Sequence, residues 1–206
     1  MMSIYKKIKY KLKSLLTKKI IIPSYEFKRA EIDIYRKFYD LKVLVETGTF
    51  MGDTVDYFRD KFEHVYSVEL SIELAEKSIK RFQSNSNVQI IHGDSGFVLK
   101  GLIEQINQPI LFWLDGHYSS EFFVGEEFIR TAKGKTNTPI IDELEIILKH
   151  RLKHVILIDD ARLFVGEHDY PTIIKLKEMI QEFNKNYTLS TKNDIIYILP
   201  SGESIK

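Results

Sequence analysis

Five short apolar runs alternate along this chain with longer segments of helical periodicity. Each run ends on an acid or an acid-bearing turn: VLVE at Glu46, VYSVE at Glu69, VQIIHGD at Asp94, ILFWLD at Asp115, and VILIDD at Asp159 and Asp160. Continuous Val/Ile/Leu runs are the signature of strands buried on both faces of a parallel sheet. Strands are expected near residues 42–46, 64–69, 87–92, 109–115 and 154–159, with helices near 52–61, 71–84, 95–106, 139–150 and 171–185. A helix from Tyr25 to Tyr39 precedes them, with Phe27, Ala30, Ile34 and Phe38 on one side. A closing pair of runs, Tyr187 to Ser190 and Asp194 to Leu199, brackets the turn residues Lys192 and Asn193. So short a connection excludes a parallel crossover, so the pattern predicts an α/β fold whose parallel sheet ends in an antiparallel hairpin.

Parallel sheets bind ligands beyond the carboxyl ends of their strands, which makes the row of acids one rim of a site. The first turn reads Glu46-Thr47-Gly48-Thr49-Phe50-Met51-Gly52 before a helical stretch near Asp53. Glycine there lets backbone approach a ligand that a Cβ would block, and the N–H groups of a helix start face the same place. A tight turn with no ligand is the alternative. Phe50 stands where the dinucleotide pattern G-x-G-x-x-G has a glycine, which disfavours a pyrophosphate. Glu69 ends the second run where a carboxylate can take a ribose diol, and Asp94-Ser95 ends the third where they can reach an adenine edge. Together these residues outline a nucleoside pocket.

The later rim is richer in charge. Asp115, Asp159 and Asp160 come from strand ends that can converge, and three carboxylates suit Mg²⁺ or another hard cation. As the alternative, they hydrogen-bond the N–H groups of helix starts. His117, just past the fourth strand, is the sharpest candidate for a general base, set against a histidine idle in chemistry. His64, His92, His150 and His154 read as structural or surface residues, and Arg162 either grips an anionic group of an acceptor or pairs with Asp159 or Asp160.

These segments resemble the class I S-adenosylmethionine-dependent methyltransferases. The resemblance lies in the E-x-G-x-x-x-G of Glu46, Gly48 and Gly52, the acid Glu69, the G-D-S of Gly93-Asp94-Ser95, Asp115 after the fourth strand, and the closing hairpin; it spans residues 42–200. It implies a Rossmann-like, doubly wound, seven-stranded sheet, mostly parallel with an antiparallel strand in the C-terminal hairpin. It also implies S-adenosylmethionine lying over the first four strands, with Glu46 and Gly48 near the methionyl amine, Glu69 on the ribose, and Asp94 with Ser95 at the adenine. The cofactor-binding set extends to Thr47, Thr49, Gly52 and Asp115. The segments L-D-G-H-Y-S and I-D-D further resemble metal-dependent O-methyltransferases that modify sugars on antibiotics, although here His117 and Tyr118 follow Gly116 directly. That likeness implies Mg²⁺ on Asp115, Asp159 and Asp160, and catalytic parts for Asp115, His117 and Asp159. The activity implied is Mg-assisted O-methylation of a carbohydrate or other small molecule. A metal-dependent glycosyltransferase or hydrolase acting on a nucleotide-type ligand, and a non-catalytic cofactor-binding protein, remain the alternatives.

Composition narrows this picture. The 206 residues carry a net charge of +1, which argues for no nucleic-acid partner, and contain no cysteine, which excludes thiolate chemistry and fits a cytoplasmic setting. Residues 1–20 depart from the average with seven lysines and no acid. Residues 1–24 are therefore expected to form a basic amphipathic segment, either packed on the protein or touching a membrane surface, and residues 25–206 a single catalytic domain. A saccharide is the expected acceptor, and self-association is left open. The stretch between Gly116 and Thr138 is too long for a simple connection and is expected to be a lid or acceptor-binding segment. Thr138-Pro139 should open the next helix, with Asp142 and Glu143 in its first turn. Asp169-Tyr170-Pro171 should open the last one, with Ile174, Leu176 and Ile180 facing the sheet, while Phe112 and Trp113 pack inside it.

Overall fold

The computed structural model describes residues 22–118, 121–124 and 127–202. The basic segment 1–20 lies outside the described residues. Helix α1 (Tyr25–Phe38) leads into strand β1 (Val43–Thr47), followed by α2 (Asp53–Phe58), β2 (His64–Glu69), α3 (Ile72–Arg81), β3 (Val88–His92), α4 (Ser95–Ile103) and β4 (Ile110–Leu114). Two short strands, β5 (Glu121–Val124) and β6 (Glu127–Arg130), pair with each other. Then come α5 (Ile140–Leu148), β7 (Val155–Ile158), one 3₁₀ turn at Ala161–Leu163, α6 (Ile173–Phe183), β8 (Tyr187–Lys192) and β9 (Ile195–Pro200).

Seven strands form one sheet in the order β3-β2-β1-β4-β7-β9-β8. The first five run parallel, and β9 inserts antiparallel between β7 and β8. The order reverses between β1 and β4, the switch point at which such sheets open a crevice beyond their strand ends. The expected Rossmann-like, seven-stranded sheet with an antiparallel strand is therefore present. The closing turn sits one residue later than the sequence suggests. Asn193 and Asp194 both take left-handed backbone (φ +50° and +59°), the combination that the commonest two-residue hairpin turn requires and that Asn and Asp tolerate.

The two-residue period of the strands divides the core. Val43, Val45, Ile110, Phe112, Leu114, Ile156 and Ile158 face α4, α5 and α6, while Leu44, Leu111, Trp113, Val155 and Leu157 share a core with Ile32 of α1, Val55 and Phe58 of α2, and Phe82 at the end of α3. Phe112 and Trp113 are buried as expected. Two helix faces differ from the sequence reading. On α6, Leu176 and Ile180 are buried but Ile174 is 70% exposed, and Thr172 rather than the Asp169 turn caps the helix, accepting from Lys175 N at 3.1 Å. On α1, Ala30, Ile34 and Phe38 are exposed, and the buried residues are Lys28 and Ile32, one turn apart. Hydrophobicity alone misplaces this helix, because a lysine occupies the innermost turn of its buried face.

Among the described residues no helix is long and apolar enough to cross a membrane.

Candidate active site

At the strand ends the parallel ladder continues into the turns. Gly48 N donates to Val68 O, Gly93 N to Glu69 O, Asp115 N to Thr47 O, and Asp159 N to Leu114 O, all at 2.9–3.1 Å. Five turns are thereby stitched side by side, and their side chains form the rim. Gly48 (φ +86°) is glycine for a packing reason: a Cβ there would stand 2.5 Å from Asp115 O. Gly52 (φ +79°) similarly presses on Phe82. Phe50 takes φ +50°, the left-handed conformation that a glycine supplies without strain, so the turn keeps a glycine-like path despite its side chain.

The predicted cofactor residues fall into two groups. Glu69, Asp94 and Ser95 lie together at the ends of β2 and β3. Glu69 accepts from Phe50 N and Ser71 N, each at 2.8 Å, which binds the β1 turn to the β2 turn. Burial raises its pKa, partly offset by these backbone hydrogen bonds. A carboxylate can accept about four hydrogen bonds, so these leave part of its acceptor capacity free. Asp94 caps α4 through Gly96 N at 3.0 Å. Thr49, Ser67 and Glu46 form a second, inward group. Ser67 donates to Glu46 Oε2 at 2.6 Å and, that proton being spent, pairs with Thr49 as acceptor at 2.7 Å. Burial, with the charges of Asp115 and Glu69 adding to it, pushes the Glu46 carboxyl up to about 8 against the Ser67 hydrogen bond, so it is mostly neutral at pH 7.

Glu143 has more than the helix-start role that the sequence suggests. It is 1% exposed on the apolar face of α5, and Ser95 Oγ donates to its Oε1 at 2.6 Å. Burial, with the charges of Asp94 and Asp142 adding to it, pushes its carboxyl up to about 7 against the Ser95 hydrogen bond. It thus links the ends of β1, β3 and β4 from beneath. The signal was present in the sequence, since Ile140, Glu143, Leu144 and Ile147 fall on one helical stripe.

The cluster at the ends of β4 and β7 is organised differently from a metal cage. His117 Nδ1 lies 3.2 Å from Asp115 Oδ1, and its Nε2 lies 3.6 Å from Asp160 Oδ2. Asp159 uses both oxygens: Oδ1 accepts from Asp160 N at 2.8 Å, and Oδ2 takes the Lys28 ammonium at 2.5 Å. Lys28 also stands 3.6 Å from Asp160 Oδ1. Arg162 pairs with Asp160 at 2.7 Å and with Asp194, settling that residue as an internal partner of the cluster. Asp160 holds left-handed backbone (φ +57°), which aims its carboxylate back at these cations. Among the described residues no group of three or more His, Cys, Asp or Glu side chains is set to hold an ion. The expected Mg²⁺ position on Asp115, Asp159 and Asp160 therefore does not fit this donor set, because an ammonium from α1 already neutralises Asp159.

Four aspartates face two fixed cations here, and the excess negative charge favours the protonated forms of Lys28 and His117. Burial alone would depress Lys28, yet the hydrogen bond to Asp159 and the charges of Asp160 and Asp115 raise its pKa. Burial and the neighbouring Asp115 and Asp160 push Asp159 up to about 7 in spite of Lys28. His117 is likewise raised: burial opposes its charge, but Asp115, Asp160 and Asp159 outweigh burial. Removing one member of a buried pair such as Lys28–Asp159 strands the other and costs roughly 3–5 kcal/mol. The open end of the cluster is the His117–Asp115 dyad, whose side chains are 20% and 29% exposed against 3% for Asp159. Behind it, a cavity of about 10 Å³ lined by Gly116, Thr138, Glu143 and Tyr170 has the room of roughly one water.

The expected lid segment contains the β5–β6 hairpin and returns across the rim. Tyr118 N donates to Asn137 O at 2.9 Å, and Asp169, read from sequence as a helix opener, accepts from Asn137 N and Nδ2. Gly134 comes close to Leu70 and to Asp94, so this return lies over the β2 and β3 ends.

The sheet order and fold match solved methyltransferases. The methyltransferase PaMTH1 of Podospora anserina, bound to SAH, superposes with a TM-score of 0.58 at 13% identity, over 87% of this chain and 80% of that one. An O-methyltransferase from Bacillus cereus in complex with SAH gives 0.57 at 14% identity, over 95% and 89%. The chain has the class I methyltransferase fold. The 23S rRNA methyltransferase ErmE shares it, with a TM-score of 0.55 at 13% identity over 89% of this chain and 70% of that one. No protein-family model and no curated protein matches the chain.

Proposed function

We propose that this protein is an S-adenosylmethionine-dependent methyltransferase that methylates a hydroxyl of a small, uncharged acceptor, a saccharide being the class that fits best. The observation carrying this reading is the placement of the His117–Asp115 dyad at the edge of the switch point between β1 and β4, in a fold whose solved neighbours include methyltransferases bound to SAH. Glu69 would hold the ribose with its unspent acceptor sites, and Asp94 with Ser95 would border the adenine. Gly48 and Thr49 would lie under the methionyl end, while Glu46 acts from below on the Ser67–Thr49 chain. When bound, the cofactor supplies an electrophilic methyl group, and the chain's own task is to orient the acceptor and remove its proton. An aliphatic hydroxyl is scarcely ionised at pH 7, so a base within hydrogen-bond reach is required, and His117, raised and oriented by Asp115, supplies it.

The charge of the acceptor side supports a neutral substrate. Asp159 and Asp160 add their charge to that of Asp115 around His117, and a polyanion such as RNA would meet like charge where it needs cations. The proposal is tested by calorimetry with S-adenosylhomocysteine. Binding is expected, and Glu69→Ala should weaken it by roughly 1–3 kcal/mol, the usual loss for a charged hydrogen-bond partner. No binding by the unaltered protein at millimolar ligand rejects the reading, and an unchanged dissociation constant in the variant rejects the role of Glu69.

A further inference from the structure

The acidic cluster contains a cation of its own, which leads to an inference that deepens the proposed function and rests on it for the identity of the reaction. We infer that Lys28 is the resident cation of the acceptor side: it occupies the position a divalent ion would take between Asp159 and Asp160, makes the site independent of metal, and makes α1 a working part of it. The residue is 8% exposed, its Nζ lies 2.5 Å from Asp159 Oδ2 and 3.6 Å from Asp160 Oδ1, and 131 residues of chain separate the two partners. A surface ion pair would carry little meaning, but an ammonium enclosed by two carboxylates at a strand end is held there by the fold. The next turn of α1 places Ile32 in the core against the sheet, so the helix cannot slide without pulling the charge out.

Lys28 is a positioning residue. It fixes Asp159 and Asp160; Asp160 in turn faces His117 Nε2 at 3.6 Å and shares Arg162 with Asp194. Without the ammonium, Asp159 and Asp160 would repel each other and the wall behind His117 would open. A divalent cation entering the same space would have to displace a tethered charge, so the intact protein should ignore such ions.

The experiment uses the full chain, with Mg²⁺ and Mn²⁺ as probes. In the unaltered protein, calorimetry should show no binding of either ion at millimolar concentration, and thermal unfolding should be insensitive to both ions and to EDTA. Lys28→Met should unfold at lower temperature and gain what the parent lacks: a rise of several degrees on adding Mn²⁺, absent when Asp159→Asn is combined with it. Lys28→Arg should recover most of the lost stability and remain insensitive to metal. In turnover, Lys28→Met should lose far more in kcat than in KM, with partial recovery by Mn²⁺. If Lys28→Met is too unstable to study, Lys28→Met/Asp159→Asn, which removes both partners, should fold better than the single variant, and a double variant no better than the single overturns the inference. Metal binding by the unaltered protein that disappears in Asp159→Asn overturns it as well, as does a Lys28→Met protein with unchanged melting and no response to Mn²⁺. Binding of S-adenosylhomocysteine to the unaltered protein, measured alongside, separates failure of this inference from failure of the methyltransferase reading.

Discussion

His117 joins two demands that pull against each other. A general base must be unprotonated when the acceptor arrives, yet the aspartates that orient it also favour its charged form. Burial lowers its pKa, and Asp115 followed by Asp160 and Asp159 raises it further than burial lowers it, so the net displacement is upward from 6.5. The expected consequence is a rate that climbs with pH through an apparent pKa above 6.5, because only the neutral imidazole accepts a proton. Asp115→Asn removes the nearest stabilising charge and should move that limb to lower pH while lowering the plateau, since Nδ1 loses the partner that orients the ring. Profiles of kcat/KM against pH for the two proteins check this, and coincident limbs would exclude the pairing. His154 shows the opposite environment: it is buried, accepts from Ile110 N through Nδ1 at 3.1 Å and stacks on His150, and burial pushes it down to about 3. One side chain type thus has a raised pKa at the rim and a lowered one at the far end of the sheet.

Among the elements, the first turn is where tolerance to change should be lowest. A methyl group at Gly48 would meet Asp115 O at 2.5 Å and Gly116 N at 3.1 Å, backbone atoms held by the Asp115 N to Thr47 O hydrogen bond, and φ +86° adds strain. Gly48→Ala should cost roughly 2–5 kcal/mol, combining the left-handed penalty with overpacking, and should displace the β4 turn that carries Asp115 and His117. Gly101, inside α4 with nothing within 4 Å of an added Cβ, is the control: alanine there should be neutral or stabilising by roughly 0.5–1 kcal/mol. Thermal melts of the two variants, with calorimetry on Gly48→Ala, test the contrast. The same turn shows what was legible in sequence. Strand ends were readable because buried parallel strands are uninterrupted apolar runs, and the acids closing them marked the rim at Glu69, Asp94 and Asp115. The inward placement of Glu46 was not readable, since an acid at a strand end looks alike whether it faces ligand or Ser67. Lys28 was missed because apolar periodicity cannot register a buried charge whose partner lies 131 residues away. The β5–β6 hairpin hid in a segment whose charge and glycine content read as loop.

Across the whole molecule, the site is maintained at a thermodynamic cost that pH can expose. Glu46 at about 8 and Glu143 at about 7 hold protons in the folded protein that the unfolded chain releases near 4.5. Between those limits the native state binds more protons than the unfolded state, so stability is fullest at low pH and falls as pH rises toward 8. His154 works the other way between about 3 and 6.5, because its buried neutral ring must charge on unfolding, so its contribution is complete above 6.5. The two trends oppose each other on the acid side, and above 6.5 the carboxyls act together with His117, whose raised pKa gives its contribution the same sign. The melting temperature should therefore decline from about pH 6.5 to about pH 8, a range where carboxyls with ordinary pKa values would no longer titrate. Glu143→Gln isolates one contribution, because the amide is nearly isosteric and its oxygen still accepts from Ser95 Oγ, while the titration disappears. Its melting temperature should match the parent near pH 5 and exceed it near pH 8, by roughly 2–4 °C for each kcal/mol recovered in a domain of this size. Equal displacement at both pH values would mean that Glu143 contributes packing alone. A gain confined to high pH would show that the neutral carboxyl beneath the β1, β3 and β4 turns is a cost the fold carries to keep those turns in place.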